Sequence, residues 1–207
     1  MTRLNRLGGI FVSPKATLGY VSTHPDLLLP CLTLLAWLVI PYAVTHAISG
    51  PRAVWILSAV IGVAISGIAF ILLFVVKGSI LWLLSKFFGG KARFYHLFCI
   101  IAYAHFPTFF RELTENAVKV VKPWFQFPTG LKALFPNLTL SNPTSHALVS
   151  TLLGRIEIFH LWSLSLTILG VYIVFKFRLW KATVVIFLWE MLSYAFLTCI
   201  ELLKGVD

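Results

Sequence analysis

Five long apolar runs, separated by basic loops, make up most of the chain and decide what it can fold into. They extend over Leu27–Ile48, Val54–Val76, Phe94–Phe110, Ile156–Phe175 and Ala182–Leu203. A helix rises about 1.5 Å per residue, so about 20 apolar residues cover the ~30 Å hydrocarbon core of a bilayer. Each run reaches or approaches that length. Hydrophobic residues make up 59% of the 207 and charged residues 12%, with a mean hydropathy of +0.91. One soluble core of this size cannot bury so much apolar surface. The expected fold is all-α: a polytopic membrane protein with five transmembrane helices, forming one membrane domain over residues 1–207. The expected location is a cell membrane, most simply a bacterial cytoplasmic one.

The first apolar run is longer than the core of a signal peptide and reads as a retained span. Cys31, Cys99 and Cys199 all fall inside expected spans. Three cysteines without paired spacing fit neither a disulfide framework nor a zinc cluster, and they read as small apolar core residues. The net charge of +10 is spread along the chain beside span ends, which fits anionic lipid headgroups rather than nucleic acid.

Charge also gives an orientation. Arg3, Arg6, Lys15, Lys86, Lys91, Arg93, Lys176, Arg178 and Lys181 fall on one side of the expected spans, in short segments whose single acid is Asp26. The positive-inside rule acts on such short segments, so the N-terminus is expected in the cytoplasm and the C-terminus outside. Ser13-Pro14 reads as an N-cap followed by proline at the first helical position. It should start a short helix to about Ser22 that lies on the cytoplasmic interface with Leu18 and Val21 facing lipid. Pro30 and Pro41 should disturb the first span. The second run continues through Lys77 to Phe88, Gly89-Gly90 gives a sharp stop, and the third helix should break near Pro107. A long outer loop covers 113–155 and includes the aromatic stretch Lys122–Pro128 and the sequon Asn137-Leu138-Thr139.

Ionisable residues inside spans are costly and so point to function. Counted inward from the cytoplasmic ends, Lys77, His105, Thr167 and Glu190 each lie nine or ten residues deep, ~14 Å and close to mid-membrane. They are expected to form an intramembrane polar layer, with Tyr103 as a further member, able to relay protons or hold a polar headgroup. Alternatively, Lys77 snorkels to an interface and Glu190 bonds a neighbouring helix for structure. Near the outer ends, Glu112, Glu115, Glu157 and His160 could meet. Glu157-x-x-His160 has the spacing of di-metal bundles, but one copy with Arg111 and Arg155 nearby reads better as a salt-bridge set, so no metal is assigned. Ser58, Gly62 and Ser66 recur every four residues and, with Gly170, are expected helix-packing positions; a homodimer contact is the sharper option. There is no nucleophile elbow or phosphate-binding loop, so the expectation is a non-enzymatic protein without cofactors.

Four regions together resemble the Yip (Ypt-interacting protein) family of five-span membrane proteins. Ile10-Phe11-Val12-Ser13-Pro14, followed by Asp26 and Pro30, is similar to the family's opening segment. Phe88-Gly89-Gly90-Lys91 resembles its di-glycine turn, and Tyr103-Ala104-His105-Phe106-Pro107 its tyrosine-and-proline signature. Glu157, Phe159 and Trp162, then Gly170 and Lys181-Ala182, resemble its closing pattern. Leu29 departs from the glycine usual before the opening proline. With about 26 residues before the first span, the likeness is to the shorter prokaryotic branch. The resemblance implies membrane organisation or an accessory role in a membrane complex, with membrane lipids and another membrane protein, a transporter or a second copy as partners. Rab-type GTPase binding, known for eukaryotic members with a long cytosolic region, does not carry over. The alternative is a small transporter or lipid-handling protein that uses the polar layer.

Overall fold

The computed structural model describes residues 2–26, 53–121 and 157–204, with the single positions 28, 149 and 153. The expected first span with Pro30, Cys31 and Pro41, the Lys122–Pro128 stretch and the sequon at Asn137 lie outside the described residues, as do the side chains of Ser58 and Ser66. Every regular element among the described residues is a helix: α1 (Arg3–Val12), α2 (Pro14–Thr23), α3 (Ala53–Phe87), α4 (Phe94–Ala104), α5 (Phe106–Val121), α6 (Ile158–Phe175) and α7 (Leu179–Lys204). Two of them contain stretches long and apolar enough to cross a membrane, Ile158–Phe175 and Leu179–Ile200. Helix α3 has 35 residues, about 52 Å of helix. Helix α5 continues to Val121, so the segment expected to begin the outer loop at 113 is helical as far as that residue.

Helix α4 is apolar on every side, which places a helix in an interior. Leu97 and the run from Cys99 to Ala104 are all buried. One side of α4 belongs to a core cluster with Phe74 and Leu81 of α3, Val171 and Phe175 of α6, and Ala182, Val185 and Ile186 of α7. The other side meets Ile10 of α1, Leu18 and Val21 of α2, and Leu166 of α6. Helix α6 can press close to α4 because residue 170 is glycine: a Cβ there would stand 2.1 Å from Cγ2 of Ile100.

The α3–α4 turn uses its two glycines for different reasons. Gly89 has φ +87°, a left-handed conformation that costs a Cβ-bearing residue about 1 kcal/mol or more. The N–H of Gly89 donates to Lys86 O and that of Gly90 to Ser85 O, at 2.9 and 2.8 Å, which satisfies the last carbonyls of α3 in a Schellman motif. Gly90 lies against α6, where a Cβ would come within 2.4 Å of the Phe175 ring. Helix α6 ends on Lys176, which takes the left-handed conformation without being glycine, at φ 53°. The Gly90–Phe175 contact brings both turns to one end of the bundle. Lys86, Lys91, Arg93, Lys176 and Arg178 are exposed there, with Lys181 half-buried.

Pro107 lacks an N–H and its ring would collide with the Tyr103 carbonyl in a continuous helix. The helix accordingly divides at His105, between α4 and α5, as the proline position predicts.

The N-terminal segment corrects two expectations. Pro14 does open α2, but Ser13 makes no side-chain cap; its N–H donates to Gly9 O at 2.8 Å and closes α1. Leu18 and Val21 do not face lipid, since both are fully buried against α4 and α6. Helices α1 and α2 form a hairpin whose tip carries Phe11, set edge-on against Phe106, Phe110 and Trp162 at 5.8, 5.8 and 5.0 Å between centroids. At its open end Asp26 accepts from Arg6 at 3.4 Å and from the Leu28 N–H at 3.0 Å. His96 of α4 bonds the Ser22 carbonyl at 2.8 Å. The hairpin is part of the packed interior because its apolar face finds α4 and α6, a closer partner than a bilayer surface.

Candidate functional site

The break at His105 aims its imidazole between helices. Nδ1 lies 2.8 Å from the Ile101 carbonyl, which can only accept, so Nδ1 carries the proton of the neutral ring. Nε2 then presents a lone pair, and the Lys77 ammonium of α3 donates to it across 2.9 Å. The same ammonium stands 5.8 Å from the centroid of the Trp189 ring on α7, within reach of a cation–π attraction. From α6, His160 Nε2 approaches Glu190 Oε2 of α7 at 3.8 Å, and the buried Thr167 hydroxyl donates to Ser163 O at 2.8 Å.

These groups meet at a small cavity, lined by Lys77, His105, His160, Ser163, Thr167 and Glu190 with Leu164, Ile186 and Trp189. Its free space is sufficient for about one water-sized guest. The helical repeat supplies the lining. Residues 160, 163, 164 and 167 follow the i, i+3, i+4, i+7 stripe of one α6 face, and 186, 189 and 190 repeat that spacing on α7.

Of the residues expected in a polar layer, Lys77, His105, Thr167 and Glu190 meet at this cavity. Tyr103 does not. It lies two positions before His105, about 200° around a helix, and is buried on the other side of α4 among Ile10, Leu18 and Val21, beside Arg6. His160 belongs to the cavity although its sequence context suggested the outer rim. The signal for it was present in the polar stripe His160, Ser163, Thr167.

The outer acidic set is divided accordingly. Arg111 of α5 bonds Glu112 and also Glu157, the latter at 2.5 Å. Burial lowers the affinity of this guanidinium for its proton, but the two carboxylates more than offset that and hold it above the ordinary arginine range. Glu157 thus turns to Arg111 and His160 to Glu190, so Glu157-x-x-His160 does not converge on one point. Glu115 is half-buried on α5. No group of three or more His, Cys, Asp or Glu placed to hold a metal occurs among the described residues. Cys99 is a buried free thiol within the α4 core, as expected of a small apolar residue, whereas Cys199 is exposed.

The remaining motif positions serve packing and turns. Phe11 meets Phe106 and Trp162, Gly90 meets Phe175 and Gly170 meets Ile100. Asp26 ties Arg6 to the start of the next segment, and Ala182 is fully buried. Pro14 and Gly89 shape helix ends, Pro107 shapes the break, and Phe159 is half-buried on the first turn of α6. Gly62 lies half-buried on α3.

Comparison with known proteins places these motifs in one framework. The family model described as the Yip1 domain matches residues 8–200. No curated protein and no solved structure matches the chain.

Proposed function

The chain belongs to the Yip1-domain family, and from that premise we propose that it is a non-enzymatic, five-span membrane protein acting in membrane organisation or as an accessory subunit of a membrane complex. The observation that carries this reading is the use made of the family-type motif residues. Several of those described meet across the bundle, Phe11 with Trp162 and Phe106, Gly90 with Phe175, and Gly170 with Ile100. Residues used this way fix the arrangement of a bundle.

A bilayer is the environment that suits the outer surface. Ile61, Ile65, Ile68 and Leu72 of α3 and Phe187, Met191, Leu192 and Phe196 of α7 are about half exposed or more. Contiguous apolar surface of this kind is stable against lipid and costly against water. The basic end formed by the α3–α4 and α6–α7 turns supports a cytoplasmic position for that end, and with it an N-terminus inside and a C-terminus outside. Cysteine at Lys91 in intact cells should then resist a membrane-impermeant maleimide until the membrane is opened; labelling of intact cells would reverse the orientation.

Transport or lipid handling through the polar layer draws support from the convergence of Lys77, His105, His160 and Glu190 on one pocket. The separating experiment replaces Glu190 with Gln and Lys77 with Met, singly and together, in the detergent-solubilised protein. The scaffold reading expects lower thermal stability with co-purifying lipids and proteins unchanged. Unchanged stability with loss of bound lipid or of a partner favours the transport reading.

A further inference from the structure

We propose that the end of the bundle formed by the α3–α4 and α6–α7 turns is a binding surface for anionic phospholipids, whose phosphates are held by the arginines and lysines of the two turns. This rests on the reading of the chain as a membrane protein and deepens it by naming the lipid class that this end selects.

Lys86, Lys91 and Arg93 belong to one segment, and Lys176, Arg178 and Lys181 to another far along the chain. The contact of Gly90 with the Phe175 ring joins the two. No Asp or Glu occurs between Asp26 and Glu112 or between Glu157 and Glu190, so neither segment brings its own counter-charge. His96 ties the open end of the N-terminal hairpin to this part of α4, but the acid there, Asp26, already bonds Arg6 and the Leu28 N–H. Among the described residues none of the six cations pairs with a carboxylate. Like charges gathered in this way repel one another and attract an anion from outside.

Helix stability does not account for the set. Lys86 and Lys176 close α3 and α6, where the helix dipole favours a cation. Arg93 is instead the N-cap of α4, without a side-chain cap bond and with no acid in the first turn. Arg178 supplies the carbonyl that accepts from the Lys181 and Ala182 N–H groups as α7 begins. The dipole disfavours a cation at either start. Lys176 also carries its charge on a left-handed backbone, φ 53°, that glycine would adopt more easily.

The surroundings favour a lipid over a soluble anion. Leu83, Phe87, Leu179 and Trp180 are more than half exposed, close in sequence to the cations. Lys86 Nζ stands 5.3 Å from the centroid of the Trp82 ring, and Lys181 Nζ 5.9 Å from that of Trp180. Tryptophan at the ends of spans, and lysine stems laid along apolar surface, mark the level of the headgroups. Lipid phosphates lie at that level. An arginine fork gives a phosphate two parallel hydrogen bonds, which Arg93 and Arg178, both exposed, can offer. A zwitterionic lipid brings its own ammonium beside the phosphate, and this surface repels it.

The test is native mass spectrometry of the detergent-purified full chain with equal amounts of phosphatidylglycerol and phosphatidylcholine. The proteins are wild type, K91Q/R93Q/R178Q and K15Q, which removes an exposed charge from α2. Wild type should retain phosphatidylglycerol in preference to phosphatidylcholine. Each cation near a lipid surface strengthens the attraction by about fivefold, so the triple variant should lose roughly a hundredfold in affinity for phosphatidylglycerol. K15Q should behave as wild type. Added salt should weaken phosphatidylglycerol retention by wild type, a readout that needs no variant to fold. Equal retention of the two lipids, or undiminished retention by a folded triple variant, overturns the proposal. Displacement of the lipid by inorganic phosphate at matched ionic strength also overturns it, since the surface would then read a free anion. Retention of neither lipid removes the membrane reading as well, whereas equal retention leaves that reading standing.

Discussion

Lys77 and His105, twenty-eight positions apart, meet across 2.9 Å inside the bundle, with the ammonium donating to an imidazole nitrogen whose ring partner is bonded to Ile101. That contact joins α3 to the break between α4 and α5. Lys77→Met removes the donor and strands a buried acceptor, a change worth about 1–3 kcal/mol. The added substitution His105→Phe should then cost much less than it does alone, leaving a coupling energy of roughly 0.5–3 kcal/mol in a double-mutant cycle. Unfolding of the four proteins in one detergent or nanodisc system measures it; simple additivity would dismiss the contact.

Leu18 offers a sharp choice between two placements of α2. Buried against α4, its replacement by alanine should cost about 2–5 kcal/mol. An interfacial helix with Leu18 in lipid would lose little stability and some membrane affinity. The melting temperature of Leu18→Ala in a fixed detergent decides between them.

Gly170 and Ile100 report the distance between α6 and α4. A methyl at 170 overlaps Cγ2 of Ile100, and relieving such an overlap typically costs about 1–3 kcal/mol. Gly170→Ala should therefore destabilise, and Ile100→Ala should recover part of the loss when combined with it, although each single change is harmful. A double variant weaker than the sum of its parts would mean that the helices are further apart than described.

Lys176 holds a left-handed conformation at the end of α6. Glycine is at ease there, so Lys176→Gly should stabilise by about 1 kcal/mol, whereas Lys176→Ala keeps the strain while also removing the charge. The comparison of the two by thermal unfolding isolates the backbone term. Equal stabilities would show that the strain is absent.

Much of the fold was legible because its signals are local. The apolar runs marked the all-helical class, Gly89-Gly90 marked the turn after α3, and Pro107 marked the break that follows α4. Counting residues from the basic ends grouped Lys77, His105, Thr167 and Glu190, and the structure brings these four to one cavity, since rise per residue is nearly constant in a helix. What counting could not supply was rotation. Tyr103 lies at nearly the depth of His105 but faces α1 and α2, while His160, grouped in sequence with Glu157 at the outer rim, turns inward to Glu190. Helix α2, amphipathic and short, reads equally well against a bilayer surface or a groove, and only α4 and α6 provide the groove.

Sequence by itself therefore determined the helical class, the family and the turns, because hydropathy, glycine and proline act over a few residues. Tertiary structure alone decided which side chains share the cavity and where the N-terminal hairpin lies. Those outcomes depend on the rotation of each helix about its axis, and close packing against partners distant in sequence fixes that rotation.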